Sequence, residues 1–251
     1  MHGIPLLPAT PVAFPSPDLA CDGSWGPEGL LAAGGELTVP WLVTAYQHGI
    51  FPWFDDDADH ILWWSPKERA GVVPGEMRIP RSLKRTLRQF PTSMVTMDVD
   101  FAGVVAACAA PRSPNGGTWI TERMRSAYIN LHNAGLAHSV EVWQEETLIG
   151  GLYGVSLGAM FFGESMFSRT SGASKIAFYA LNAHLAQAQF ALIDCQMMNP
   201  HVANLGAQAM PRETFMRWLA NNDPAATNRG RWQLQLPNDH LLLDESNANL
   251  N

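Results

Sequence analysis

The chain has 251 residues, 47% hydrophobic and 16% charged, with 21 Gly and 18 Pro. That is enough apolar material for a real core and enough turn formers to fold it often, which excludes a disordered chain or a small peptide. A formal charge of −7 excludes a uniformly basic nucleic-acid coat and a polybasic membrane anchor, so any polyanion has to meet a local patch.

The first stretch is broken by Pro5, Pro8, Pro11, Pro15 and Pro17, with no basic start leading into an apolar run and no apolar stretch of membrane-spanning length. A cytoplasmic protein is expected, without a membrane partner. Cys21, Cys108 and Cys195 are far apart and form no CxxC, and the eight histidines show no paired ligand spacing. Neither a disulfide framework nor a metal site is expected.

Residues 1–60, rich in Pro, Gly and Trp, read as a small N-terminal domain with a short helix over 41–46 opened by Thr38 and Pro40. Asp55, Asp56, Asp57 and Asp59 read as a solvated turn. A second domain is expected over 61–220. Its first helix, 80–90, carries Arg81, Lys84, Arg85 and Arg88 at spacings of three, four and seven, a positive stripe on one face. That stripe suits either phosphate contacts or a solvated face. A helix over 118–132 follows, with Ile120, Met124, Ala127, Tyr128 and Leu131 as its apolar stripe and Gly135 as its stop.

Strands over 139–143, 148–155 and 159–167, separated by short turns, predict an antiparallel meander. A helix over 173–187 is opened by Ser171 or Ser174, a strand covers 191–197, and a last helix covers 212–219. Residues 221–251 read as a polar tail in which Leu241, Leu242 and Leu243 are candidates to dock on the body. The fold class is α+β, of mixed α/β content, with a largely antiparallel sheet.

Several of these segments carry candidate chemistry. In an extended 191–197, Asp194 and Gln196 share a face while Cys195 points the other way. A carboxylate and an amide in an apolar strand need a specific partner, whether a neighbouring loop or a substrate. In 161–167, strict alternation puts Phe162, Glu164 and Met166 on one face, the acid suiting an amine or a salt bridge to Arg169. Trp53, Trp63, Trp64 and Trp119 sit in Pro- or Gly-flanked segments, where an indole either packs or stacks on a base. The loop Arg169-Thr170-Ser171-Gly172-Ala173-Ser174 approximates the R-x-x-G-x-G/A pyrophosphate turn of acetyl-CoA-dependent acyltransferases, with Ser at its sixth position. No GxxxxGK[ST] or GxSxG motif occurs.

Taken in order, these words resemble the leucyl/phenylalanyl-tRNA–protein transferase family. They run from Gly29-Leu30-Leu31-Ala32 through Ala45-Tyr46, Gly49-Ile50-Phe51-Pro52-Trp53-Phe54 and Trp63-Trp64-Ser65-Pro66 with Arg69. They continue through Gly117-Thr118-Trp119-Ile120-Thr121, Ala127-Tyr128, Gly150-Gly151-Leu152-Tyr153-Gly154, Phe162-Gly163-Glu164-Ser165-Met166-Phe167-Ser168 and Asp194-Cys195-Gln196. The resemblance covers about residues 14–219.

The resemblance implies a GNAT-like acyltransferase domain behind the small N-terminal domain, acting as a monomer without a cofactor. It implies transfer of Leu or Phe, and Met more weakly, from aminoacyl-tRNA to proteins with N-terminal Arg or Lys, marking them for N-degron degradation. Asp194 working through Gln196 is then expected to activate the acceptor amine. Leu152 and Met166 are expected to line the side-chain slot, Trp53 and Trp119 to meet the aminoacyl-adenosine end, and Glu164 to hold donor or acceptor. Arg81, Lys84, Arg85 and Arg88 are expected to grip tRNA phosphates. The residues alone also admit a CoA-dependent N-acetyltransferase, from the Arg169 loop, or a noncatalytic RNA-binding module, from the basic helix and loop tryptophans.

Overall fold

The structure, a computed structural model, describes residues 3–77, 84, 85, 87, 88, 93–111 and 118–237. Among them lie a four-stranded sheet and an eight-stranded sheet. Strands β1 (Leu6–Leu7), β2 (Leu30–Gly34), β3 (Phe51–Pro52) and β4 (Leu62–Trp64) form the smaller sheet, in the order β1-β2-β4-β3. Helix α1 (Val39–Gln47) covers it, with Pro40 in its first turn where the missing N–H costs nothing. Trp41 and Trp63 stack at 6.0 Å, and their indole N–H groups donate to the backbone oxygens of Ala9 and Gly34. Those two tryptophans, buried to 1% and 0% exposure, are core residues.

The larger sheet begins with β5 (Glu68–Val72) and β6 (Ser93–Met97), then the meander β7 (Ala137–Gln144), β8 (Thr147–Leu157) and β9 (Met160–Ser168). With β10 (Leu192–Asp194), β11 (Gln208–Pro211) and β12 (Gln235–Pro237) its order is β11-β5-β10-β9-β8-β7-β6-β12. All its pairs are antiparallel except β9 with β10. The expected α+β class and the meander are therefore observed.

Each face of this sheet carries its own apolar cluster. One side holds α1, α2 (Phe101–Ala109) and α3 (Glu122–Asn133), and the other holds α4 (Ala173–Gln187) with Trp232. Helix α2, not anticipated from the sequence, starts where the Asp100 side chain accepts from the Gly103 N–H at 2.9 Å. It buries Phe101, Val104, Val105 and Cys108, a one-sided spacing. Helix α3 starts four residues later than expected, because Thr121 supplies the N-cap to Met124. Its first turn is also held by the acidic loop, where Asp57 accepts from the Arg123 N–H. Helix α4 has the bounds read from the sequence, but its N-cap is Gly172 at φ 88° rather than Ser171 or Ser174. Gly150 on β8 is required by this packing: a Cβ there would lie 2.4 Å from the Ala173 Cβ.

Short helix α5 (Pro200–Asn204) and helix α6 (Arg212–Ala220) complete the body. Beyond them the chain is tied back: Asn222 and Thr227 cap the β8–β9 turn at Ala159 and Gly158. Asp98 accepts from the Trp232 N–H at 2.7 Å, and the Trp232 ring stacks on His138 at 3.9 Å. The expected docking of Leu241, Leu242 and Leu243 lies outside the described residues.

Candidate active site

Strands β9 and β10 run parallel only from Met160 to Phe162, opposite Leu192 to Asp194. Beyond that point they part. The register of β8 against β9 shifts between Tyr153 and Gly154, opposite Ser165 and Gly163, so Glu164 is the extra residue of a β-bulge. On the other side β10 ends at Asp194, and Gln196 takes a left-handed φ of 55°. The gap between them opens into a cavity of about 850 Å³.

This local geometry corrects two readings. Gln196 is not in the strand, so Asp194 and Gln196 do not share a strand face. Cys195 and Gln196 keep backbone bonds to Ala70 of β5, Cys195 donating to its carbonyl at 2.8 Å and Gln196 accepting from its N–H at 3.0 Å, so two residues oppose one and the chain bulges out of the strand. Nor does strict alternation survive along β9. Phe162 packs on Tyr46 on the α1 side, whereas Met166 packs in the α4 cluster, because the bulge resets the alternation.

Glu164 is partly buried at the cavity wall. Its Oε1 accepts from the Tyr46 hydroxyl at 2.7 Å and from Gln196 Nε2 at 3.3 Å, and its Oε2 accepts from the Tyr128 hydroxyl at 2.5 Å. Burial pushes the Glu164 carboxyl up to about 7, Tyr128 and Tyr46 pull it back, and the Asp194 charge adds a further upward push. Burial, then the Glu164 charge, holds both phenols well above their usual range, so they remain donors. Arg169 is not the partner of Glu164: it donates to the Leu148 carbonyl at 2.9 Å.

Asp194 is sealed, at 0% exposure, and does not line the cavity. Arg69 grips both its oxygens, with Nε 3.3 Å from Oδ1 and a closer contact from Nη2 to Oδ2. The guanidinium also donates to the Gly49 carbonyl at 3.1 Å and lies against the Phe51 and Phe215 rings. Asp194 Oδ1 in turn accepts from the Gln196 backbone N–H at 3.0 Å. Gln196 is therefore fixed at two points, its backbone N–H and its side-chain Nε2, and its side-chain carbonyl can accept a further hydrogen bond.

The rest of the cavity divides into an apolar recess and an aromatic rim. Leu152 and Met166, direct cross-strand neighbours, form the recess with Phe178, Leu181 and Ile193. Trp53, 36% exposed, and half-buried Trp119 line the other part. Cys195 also lines it, but burial, then Asp194, pushes its thiol up to about 12, which removes it as a nucleophile near neutral pH. Lys84, Arg85 and Arg88 are helical and outside this lining, with Arg85 and Arg88 exposed, while Arg81 lies outside the described residues. Among the described residues, no cluster of three His, Cys, Asp or Glu side chains is arranged to hold a metal, and no helix is long and apolar enough to cross a membrane.

Tyr46, Tyr128 and Arg69 were not singled out for chemistry by sequence reasoning. Tyr128 reads as one of an apolar stripe, and the group that its hydroxyl meets is 36 residues away on another element.

Comparison with known proteins bears on what this cavity is. The model of the leucyl/phenylalanyl-tRNA protein transferase family matches residues 72–220, and that of its N-terminal domain matches 35–67. The chain belongs to this family. Among curated leucyl/phenylalanyl-tRNA–protein transferases, that of Aromatoleum aromaticum is 53% identical over 232 residues, 92% of this chain and 95% of that protein. That of Ectopseudomonas mendocina is 55% identical over 193 residues, covering 77% and 84%, and that of Shewanella oneidensis 50% over 220, covering 88% and 91%. Membership in this transferase family makes the cavity between β9 and β10 the candidate centre for aminoacyl transfer.

Proposed function

We propose that this chain moves Leu or Phe, and Met less readily, from the ester of its aminoacyl-tRNA to the α-amino group of proteins beginning with Arg or Lys. The modified protein is thereby marked for degradation, in the cytoplasm, and the enzyme works as a monomer. The observation that carries this reading is the meeting, in one cavity, of a fixed amide and a near-neutral carboxyl with an apolar recess and an indole rim. An N-terminal domain on 1–60, a GNAT-like domain on 61–220 and a tail on 221–251 accompany it.

An aminoacyl ester is already activated, so amide formation runs downhill and needs neither ATP nor a metal. The protein has to orient and to move one proton. An α-amine has a pKa of about 7.7, so a carboxyl near 7 is matched to accept its proton. The amine nitrogen attacks the ester carbonyl, the C–O bond to the ribose breaks, and the ribose oxygen takes up the proton. The Gln196 carbonyl accepts an N–H of the incoming amine, Glu164 or the ribose hydroxyl relays the proton, and proximity supplies much of the rate. Asp194 acts as a positioning residue through the Gln196 N–H. Leu152 and Met166 face the Leu or Phe side chain, Trp53 and Trp119 stack the terminal adenosine, and Lys84, Arg85 and Arg88, with Arg81, contact phosphates.

Incubating the protein with labelled leucyl-tRNA and an Arg-leading peptide, without ATP, tests this. Labelled Leu on the peptide N-terminus is the expected result. No transfer, with heat released on titrating acetyl-CoA, would replace the reading with a CoA-dependent acetyltransferase.

A further inference from the structure

The cavity has a second kind of wall that the transfer chemistry leaves unused. From Ser165 to Ser168, just beyond the bulged Glu164, β9 is paired on one edge with β8, while on its other edge pairing with β10 stops at Phe162. Among the described residues no strand pairs with that second edge; its residues form part of the cavity lining, as do Gln196, Met197, Asn199 and His201. An unpaired strand edge presents alternating N–H and C=O groups, the pattern another polypeptide backbone completes. A nucleic acid backbone, whose phosphates only accept, does not match it.

We infer that the Glu164–Ser168 edge of β9 binds the first residues of the acceptor protein as an added strand. This rests on the transfer reading, because that reading puts the acceptor amine beside Glu164 and Gln196. Glu164 lies at the inner end of the edge, and Ser168 and Arg169 are exposed at the outer end. An acceptor with its amine at the inner end therefore leaves along the direction of β9, in parallel. Five residues at about 3.3 Å each give about 16 Å, room for about five acceptor residues. Main-chain recognition also suits an enzyme whose acceptors share a first residue and little else, since the bonds are made whatever side chains follow.

In a parallel ladder, the N–H and C=O of one residue face the neighbouring strand and those of the next face away. The test is a set of Arg-Ala-Ala-Ala-Ala-Ala-Tyr peptides in which one backbone N–H at a time, at residue 2, 3, 4, 5 or 6, is replaced by an ester oxygen. This removes a donor without adding bulk. KM should rise about fivefold per lost bond at alternate positions among residues 2 to 5, with unchanged kcat and no effect at residue 6. Equal tolerance at every position, or equal losses at consecutive positions, would overturn the added strand while leaving the transfer reading intact. No transfer to the unmodified peptide would remove the transfer reading and this inference with it.

Discussion

Arg69 holds both carboxylate oxygens of Asp194 at a point where neither side chain is more than 1% exposed. Removing one partner of such a pair leaves the other charge buried and alone, at a cost of about 3 to 5 kcal/mol. Arg69→Met and Asp194→Asn should each lose about that much in urea denaturation, and the double variant should recover more than half of the loss. On the proposed reading, in which Asp194 positions Gln196 through its backbone N–H, Asp194→Asn should also lower kcat with little change in KM for the donor.

On the proposed reading, Glu164 should make both stability and activity depend on pH. Its folded-state pKa is about 7 against 4.5 for the free side chain, so the folded protein holds this proton more tightly than the unfolded chain. The contribution of Glu164 to stability is then complete below about pH 4.5 and is lost as pH rises through about 7. The melting temperature of Glu164→Gln should change less than that of the parent across this window, as read by scanning fluorimetry. In transfer assays on the proposed reading, the rising limb of the parent near pH 7 should move up in Glu164→Gln toward the acceptor amine's own value of about 7.7.

Met166 and Leu152 face each other across β8 and β9 in the recess. A methylene or two in such a slot is worth about 1 to 3 kcal/mol. Met166→Ala should lower kcat/KM for leucyl-tRNA about tenfold and phenylalanyl-tRNA less, shifting preference toward Phe in a competition assay.

Trp53 is 36% exposed at the rim. Trp53→Ala should leave the melting temperature nearly unchanged and weaken an aminoacyl-adenosine analogue by a factor of about 5 to 100, the worth of one stacked base. Calorimetric titration of the analogue measures it.

The basic stripe should be visible in salt. With Arg81, Lys84, Arg85 and Arg88 each meeting one phosphate, log affinity for tRNA should fall with log salt at a slope of about −3 to −4. Replacing Arg85 and Arg88 by Glu should flatten that slope. An unchanged slope would leave the stripe as a solvated face.

Much of the fold is legible in local patterns. The short apolar runs of β7, β8 and β9, split by turns, and the apolar run of α4 depend on neighbours in sequence, so the meander and the helix over 173–187 are read at nearly their true bounds. The strand around Asp194 was legible as a strand but not in its length. Its end is set by distant partners: pairing with β9 stops at Phe162, before the bulge at Glu164, 30 residues earlier, and Ala70 of β5 faces both Cys195 and Gln196.

The sequence by itself determined which residue types are available and in what order, and through them the family. Only the tertiary structure decided who meets whom. It turned Tyr46 and Tyr128 from core aromatics into donors to Glu164. It withdrew Asp194 behind Arg69, and it left Gln196 at the cavity wall. The physical reason is that a buried polar group must be satisfied by whatever lies closest in space. Here Tyr128, Tyr46 and Arg69 reach their partners across 36, 118 and 125 residues, beyond the reach of any local pattern.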